Sequence, residues 1–316
     1  MINKVIRYFG YAIVGLFLII AVFALAWYRS DIPVAELESE YFTAESSYTK
    51  VRGNRIHIRK RGTGPVIFLI HGSFASLHTW NAWEQQLSLS NTSISLDLPG
   101  HGLSGPSPTQ SYTTDDYENL IIELANVMKI DTFSIAGNSM GGNVAWKVAL
   151  HNPDRVRKLI LVDAAGFERY SEGHRAEQPF IFTLLQSKLT SSLLIKITPK
   201  FIFKMNLKQV YGDVSKIGEE DVTRFYRLML REGNRLATVQ RLRHPGRDLQ
   251  DSIQFIKTPT LILWGENDKW IPVAKAEKFH QAIANSVLRT FAGAGHIPME
   301  EIPDETVKTV LNFLKE

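Results

Sequence analysis

Between Pro65 and Glu316 the chain alternates two kinds of apolar pattern. Short unbroken runs of strand length, "PVIFLIHG" (65–72), "SISLDLPG" (93–100), "TFSIAG" (132–137), "KLILVDAAG" (158–166), "TPTLILWGE" (258–266) and "SVLRTFAG" (286–293), read as buried strands. Stretches with apolar residues at helical spacing follow them: "SLHTWNAWEQQLSL", "TTDDYENLIIELANVMKI", "GGNVAWKVALHNP", "PVAKAEKFHQAIA" and "DETVKTVLNFLKE". The second carries Asp115 and Glu118 at capping-box spacing. Ahead of the series, "SYTKVRGNRIHIRKRG" alternates as a hairpin expected to turn at Gly53-Asn54. Strands alternating with helices imply an α/β fold, a mostly parallel sheet flanked by helices.

Two segments depart from this rhythm. Residues 8–28, "YFGYAIVGLFLIIAVFALAWY", hold no charge. As a helix rising ~1.5 Å per residue they span the roughly 30 Å hydrocarbon layer. Tyr8, Tyr11, Trp27 and Tyr28 lie where interfacial aromatics belong, Lys4 and Arg7 precede the run, and Asp31, Glu36, Glu38 and Glu40 follow Arg29. This pattern predicts a single-pass anchor with a cytoplasmic N-terminus and an exported domain, periplasmic or extracellular. A cleaved signal peptide with its site at Ala24-Leu25-Ala26 is the alternative, giving a secreted protein; a buried soluble helix is the third reading.

The second departure lies between Gly166 and about Gly246. No β-type run occurs there, only helix-like sequence broken by Pro179 and Pro199. An insertion of about 80 residues exceeds an ordinary crossover and reads as a helical cap over the strand ends. The expected organisation is an anchor (1–29), a polar linker (30–46), a core in two parts (47–166 and 247–316) and the cap (167–246).

Composition narrows the chemistry. In 316 residues with 44% hydrophobic and 22% charged positions there is no cysteine, so disulfides, thiolate metal sites and a cysteine nucleophile are excluded. A net charge of +4, dispersed along the chain, gives no nucleic-acid signature. Within the cap, Lys196, Lys200, Lys204 and Lys208 recur every four positions. They form either the solvated face of a lid or a basic surface resting on anionic lipid. Phe180, Phe182, Phe201, Phe203 and Phe225 form either the cap's own core or the wall of an acyl pocket.

Open α/β sheets gather reactive groups at the C-terminal ends of their strands. There stand His71, Ser73, Phe74, Asp97, Ser139, Asp163, Glu266, Asp268 and His296. Ser139, in "GNSMGG", falls between a strand and a helix, with Gly137 and Gly141 where side chains would collide at a nucleophile elbow. By composition alone a Gly-x-Ser-x-Gly arises in roughly one chain in ten of this length. Its strand-to-helix setting favours the elbow over turn punctuation. Such a serine needs a base. Of nine histidines, His57, His151, His174, His244 and His280 read as surface or packing residues, His71 suits a backbone role and His101 belongs to a turn. His296, on the glycine-flanked loop "FAGAGHIPMEE", is placed to reach the elbow. Asp268 is the favoured carboxylate to orient it, with Asp163 the rival and Glu266 the weaker candidate, while Asp97 suits a structural task. Oxyanion donors are expected from the backbone N–H of Met140 and of Phe74, with Ser73 as second candidate.

The pieces "HGSFAS", "DLPGHGLS", "GNSMGG", "LILVDAAGF", "LWGENDKWIP" and "GAGHIPMEEIP" resemble, in order and over about 50–316, the α/β-hydrolase superfamily. The combination is most similar to bacterial family V lipolytic enzymes and membrane-anchored monoacylglycerol lipases. That resemblance implies ester hydrolysis by Ser139, Asp268 and His296 without metal or organic cofactor. The implied partners are a small ester or lipid substrate and the bilayer, with no obligate protein partner evident. Two alternatives stand beside it. C–C bond hydrolases of ring-cleavage diketones share "GNSMGG", but usually carry a "GPG" oxyanion loop and an aromatic after the catalytic histidine, where this chain has "SFAS" and Ile297. A non-catalytic receptor or scaffold on the same fold is the other.

Overall fold

The structure is a computed structural model describing residues 2–167, 187, 191, 195–244 and 246–316. His174, Phe180 and Phe182, with most of the first half of the expected cap, lie outside the described residues.

An eight-stranded sheet organises the chain. It comprises β1 (Ser46–Val51), β2 (Asn54–Arg61), β3 (Val66–Ile70), β4 (Thr92–Leu96), β5 (Phe133–Asn138), β6 (Val156–Val162), β7 (Thr260–Gly265) and β8 (Ser286–Phe291), in the spatial order β1-β2-β4-β3-β5-β6-β7-β8. The β1–β2 and β2–β4 pairs are antiparallel and the rest parallel. Every residue of β4, β5 and β7 is buried. That explains why those stretches read as continuous apolar runs: helices cover both faces of a parallel sheet. The edge strand β8 instead alternates exposed and half-buried positions.

The covering helices are α3 (Asn81–Leu87), α4 (Thr114–Val127), α5 (Met140–His151), α9 (Ala274–Ala282) and α10 (Pro303–Lys315). One face buries Phe68 edge-on to Phe133 with Trp146 and Trp264; the other buries Trp80, Trp83 and Val307. Two local expectations shift. The first hairpin turns at Arg52-Gly53, one residue earlier than expected, because both adopt positive φ (49° and 78°) as a tight two-residue turn requires. The capping box of α4 is Thr113 with Asp116, not Asp115 with Glu118: Asp116 N–H donates to Thr113 Oγ1 (3.1 Å) and Thr113 N–H to Asp116 Oδ2 (3.0 Å). Asp115 is drawn instead to the buried Lys147 (3.0 Å).

Between β6 and β7 the described chain is helical: α6 (Lys200–Val210), α7 (Glu219–Met229) and α8 (Asn234–Arg243), with a 3-10 turn at Val214–Lys216. Three of the four lysines in the series have acidic partners. Lys196 pairs with Asp31 (2.7 Å), and Lys200 and Lys204 pair with Glu219 (2.7 and 3.6 Å). Phe203 packs against Tyr226 (5.3 Å between rings) and Phe225 against the sheet-side core, whereas Phe201 is half exposed.

The N-terminal helix α1 (Ile2–Trp27) includes Ile6–Trp27, long and apolar enough to cross a membrane. Residues 30–46, expected as a polar linker, carry ordered structure of their own. They contain α2 (Val34–Tyr41), whose Leu37 is fully buried with Leu103 and Leu228. The end of α1 is docked on the insertion: Trp27 packs edge-on against Phe201 (5.3 Å), Arg29 N–H donates to Lys196 O (2.8 Å) and Thr198 N–H to Trp27 O (3.2 Å). Arg235, 5% exposed, donates through Nε to Asp31 Oδ1 (3.2 Å) and through Nη2 to Arg29 O (2.9 Å).

Asp31 therefore compensates a cation that is buried. Asp31→Ala is expected to lower stability by about 1.5–3 kcal/mol, the usual range for a lost hydrogen bond to a charged group. A urea titration checks this: the midpoint falls while the slope stays constant.

Candidate active site

β5 ends at Asn138 and α5 begins at Met140, so Ser139 alone makes the reversal. It adopts φ 54°, ψ −119°, a region that non-glycine residues rarely occupy. The neighbouring glycines explain how this is tolerated. A Cβ on Gly137 would lie 2.1 Å from Gly141 O, and one on Gly141 would lie 2.2 Å from Ile70 O. Helix and strand thus meet backbone to backbone. Ser139 N–H donates to Val162 O (3.1 Å), and Ser139 O accepts from Asn143 and Ala165 N–H (3.1 and 3.0 Å).

His296 stands on the turn after β8 and is 2% exposed. Its N–H donates to Val210 O (2.6 Å), and Asn138 Nδ2 donates to its carbonyl (3.0 Å), so the β5 end adjoining Ser139 is tied directly to the histidine. Nδ1 lies 2.7 Å from Asp268 Oδ2. Asp268 Oδ1 accepts from Trp270 and Ile271 N–H (2.8 and 2.9 Å), which leaves Oδ2 for the imidazole. With Nδ1–H given to the carboxylate, Nε2 carries a lone pair; it is buried and has no partner among the described residues. No hydrogen bond joins it to Ser139 Oγ in this state, a contact that commonly tightens only with substrate.

Asp163 lies at the end of β6, fully buried with φ 45°. Oδ1 accepts from Gly265 N–H (2.9 Å), and Oδ2 is an orphan when counted as an acceptor. Burial, then the Asp268 charge, pushes its carboxyl well above the usual range. Asp163, Asp268 and His296 bring ligand-type atoms within 4.8 Å of one another. Asp163 Oδ1 and Asp268 Oδ1 are engaged by backbone N–H groups, and Asp268 Oδ2 by His296 Nδ1. Glu266 bonds Thr290 Oγ1 (2.8 Å) at an exposed position, away from His296 Nδ1.

Met140 opens α5, so its N–H has no intrahelical acceptor. Phe74 bends the loop after β3 with φ 63°, and among the described residues neither its N–H nor that of Ser73 has a partner. Gly72 brings this loop to the elbow: a Cβ there would lie 3.1 Å from Ser139 Cβ. Asp97 is structural, as expected. It accepts from His57 Nδ1, Leu77 N–H and Leu103 N–H (2.8 Å each). Burial opposes its ionisation, but these bonds, the one from His57 first, hold it well below the usual carboxylate range. His71 takes the backbone role, its Nδ1 2.7 Å from Gly72 O and its Nε2 accepting from Leu98 N–H (3.1 Å).

Three residues of the site escape a reading by strand ends. Trp270 packs on the His296 ring (5.4 Å) and faces Phe74 (6.5 Å). Buried Glu301 accepts from Gly295, Gly212 and Asp213 N–H (2.8, 3.0 and 2.6 Å), joining the histidine turn to the end of α6. Arg241, on α8, lies over the Phe74 ring with Cζ 5.6 Å from its centroid. The second glutamate of "GHIPMEE" is the one sequence signal that was present for any of them.

With this geometry in hand, residues 65–303 match the family described as alpha/beta hydrolase fold. Over 266 residues the chain is 27% identical to monoacylglycerol lipase ABHD6 of Bos taurus, covering 80% of this chain and 76% of that one. It is 28% identical over 271 residues to 2-hydroxy-6-oxononadienedioate/2-hydroxy-6-oxononatrienedioate hydrolase 2 of Pseudomonas putida, covering 83% and 92%. A solved structure of a membrane phospholipase A, described as a bacterial virulence factor, superposes with TM-score 0.71 at 25% identity, covering 97% of this chain and 98% of that one.

Protonation of Asp163 has a measurable consequence. A carboxyl whose folded value is raised binds its proton in the folded state after the unfolded chain has lost it, so stability declines as pH rises above the unfolded value of 3.8. Asp163→Asn donates at every pH. Relative to the native protein it is expected to be more stable at pH 8 than at pH 4, measured by denaturant midpoints across that range. An equal difference at both pH values would show Asp163 ionised.

Proposed function

Because the chain belongs to the alpha/beta hydrolase fold family, we propose that it is a serine hydrolase of carboxylic esters, lipid-like or of short to medium acyl chain. The observation that carries this reading is the His296–Asp268 pair at 2.7 Å, which leaves a buried, unpartnered Nε2 beside the elbow that holds Ser139. Ser139 Oγ attacks the ester carbonyl carbon while His296 Nε2 takes its proton, and Asp268 stabilises the imidazolium. The oxyanion receives hydrogen bonds from Met140 and Phe74 N–H, Ser73 being the second candidate on that loop. The imidazolium then protonates the departing alcohol, leaving an acyl-enzyme on Ser139. Water, deprotonated by His296, attacks that carbonyl; the acid leaves and Ser139 regains its proton.

The insertion of 167–246 acts in this reading as a cap over the elbow, and α1 as a retained anchor. Two features support the latter: α1 runs unbroken through Ala24-Leu25-Ala26, and Trp27 packs on Phe201. Exposed Phe201, Ile202 and Met205 of α6 continue the apolar surface from there, which suits contact with the bilayer. Lys4 and Arg7 hold the N-terminus in the cytoplasm and place the hydrolase on the exported side. Protease added to intact spheroplasts should then degrade the domain; full protection overturns this orientation, and a soluble exported form lacking α1 favours signal cleavage.

Cleavage of a ring-cleavage diketone is the second reading, favoured by the likeness to the Pseudomonas putida hydrolase over 92% of that chain. Assaying such a diketone beside an ester chain-length series separates the two. A scaffold without activity is separated by a fluorophosphonate probe, which labels Ser139 only in an active enzyme.

On a p-nitrophenyl ester, Ser139→Ala and His296→Ala are expected to lower kcat by about 10,000- to 1,000,000-fold and Asp268→Asn by about 10,000-fold. Asp163→Asn should be affected far less. Circular dichroism confirms the fold of each. Undiminished turnover by Ser139→Ala sinks the mechanism, and exchanged effects at Asp268 and Asp163 reassign the acid.

A further inference from the structure

Among the described residues, helix α8 puts one cation, Arg241, in the interior without a counter-charge. Arg241 is 9% exposed, and its Nε and Nη2 are buried with no hydrogen-bond partner among the described residues. The two other arginines buried to this degree are compensated, Arg59 by Glu84 (2.6 Å) and Arg235 by Asp31. Such a charge is unfavourable unless something pairs with it.

Among the described residues, no group around Arg241 supplies the missing negative charge. Its guanidinium faces the Phe74 ring, a contact that uses none of its N–H donors. On the same side lie His71 and His101, their rings 4.9 Å apart, and Tyr117, whose hydroxyl donates to Pro99 O (2.8 Å). Burial first, then His71 and Arg241, pushes His101 well down, and burial lowers His71. Asp97 opposes that effect on both rings, but its oxygens are taken by His57, Leu77 and Leu103.

The position of Arg241 links it to the reaction. Phe74 carries the proposed oxyanion donor on its backbone, while its ring contacts Arg241 on one side and Trp270 on another; Trp270 in turn packs on His296. The unpartnered Nε–H and Nη2–H share one edge of the guanidinium, a fork matched to two oxygens of a carboxylate or phosphate.

We propose that Arg241 receives the anionic group, carboxylate or phosphate, of the ester that Ser139 opens, so that the substrate class is an anionic lipid ester and not a neutral acylglycerol. The inference rests on the serine-esterase reading for the bond that is cut, but binding at Arg241 can be measured without turnover.

Isothermal titration of the full chain in neutral detergent, with detergent blanks subtracted, would use decyl phosphate, decanoate, decanol and inorganic phosphate. At least one decyl anion should bind about ten-fold or more tighter than decanol, a difference of ~1.4 kcal/mol. Arg241→Met should remove that margin and Arg241→Lys keep part of it, since lysine retains the charge but loses the fork. The tighter anion identifies the charged group, and inorganic phosphate, lacking a chain, should fail to displace it. If neither anion exceeds decanol, if the margin survives in folded Arg241→Met, or if inorganic phosphate competes equally well, the proposal falls. Should Arg241→Met not fold, Arg241→Gln gives the same comparison. In turnover, the ratio of kcat/KM for a monoacylglycerol phosphate over the matching monoacylglycerol should drop at least ten-fold in the variant. Arg241-dependent binding without hydrolysis of any ester would remove the esterase reading and leave the anion site standing.

Discussion

The approach of β5, α5 and β3 at the elbow is the constraint on which the site depends. There is no room for a side chain between Gly137 and Gly141 or between Gly141 and Ile70 O. Because these backbones touch, the residue between strand and helix is forced to positive φ, and its side chain leaves the sheet edge instead of packing beneath it. The strain is held by the bonds around it. Ser139 N–H and O are both tied to the β6 end, and Asn138 reaches across to His296 O. A serine placed this way is positioned by the sheet itself, so its geometry is as rigid as the core.

Around that point the site is a question of where protons sit. In the proposed mechanism His296 Nδ1 keeps its proton so that Nε2 acts as the base; Asp268 accepts from two backbone N–H groups at Oδ1 and faces the imidazole with Oδ2. Asp163 stands behind it in a fully buried position where two adjacent anions would repel strongly. Burial and the Asp268 charge both push the Asp163 carboxyl well above the usual range. The two carboxyl groups at adjacent strand ends thus sit differently, Asp268 facing the histidine and Asp163 fully buried behind it with its carboxyl pushed well above the usual range. Their chemistry differs although their sequence settings look alike, which is why a reading of strand ends left both as candidates.

The sheet and the residues at its ends were legible because their signals are local. An unbroken apolar run marks a strand buried on both faces, and the polar residue that follows lies at the sheet edge by the geometry of the fold. Ser139, Asp268 and His296 all fall in that class. What escaped depends on partners distant in sequence. Residues 30–46 read as a polar linker, yet Asp31 and Glu36 are polar because they face Arg235 and Arg227, some two hundred residues away. The lysine series read as a surface for the same reason: Glu219 and Asp31, which neutralise it, lie on other elements. Trp270 and Arg241 carry no local signature at all, since a tryptophan after an aspartate and an arginine in a helix are ordinary until the fold stacks them against His296 and Phe74.

These distant contacts tie the described part of the insertion to two other regions of the chain. At one end it receives the foot of α1 through Lys196, Thr198 and Arg235; at the other, Val210 O accepts the His296 N–H, and Glu301 fastens Gly212 to Gly295. Gly212 and Gly295 must be glycine for that clasp, because a Cβ on either would lie 2.0–2.3 Å from a carbonyl oxygen of the opposing segment. The apolar N-terminal helix is therefore joined to the histidine turn through one helical layer built from short hydrogen bonds. A flexible tether would only confine the domain to a surface. A docked one also fixes which face of the domain, the one bearing Phe201 and the insertion, is presented where α1 ends.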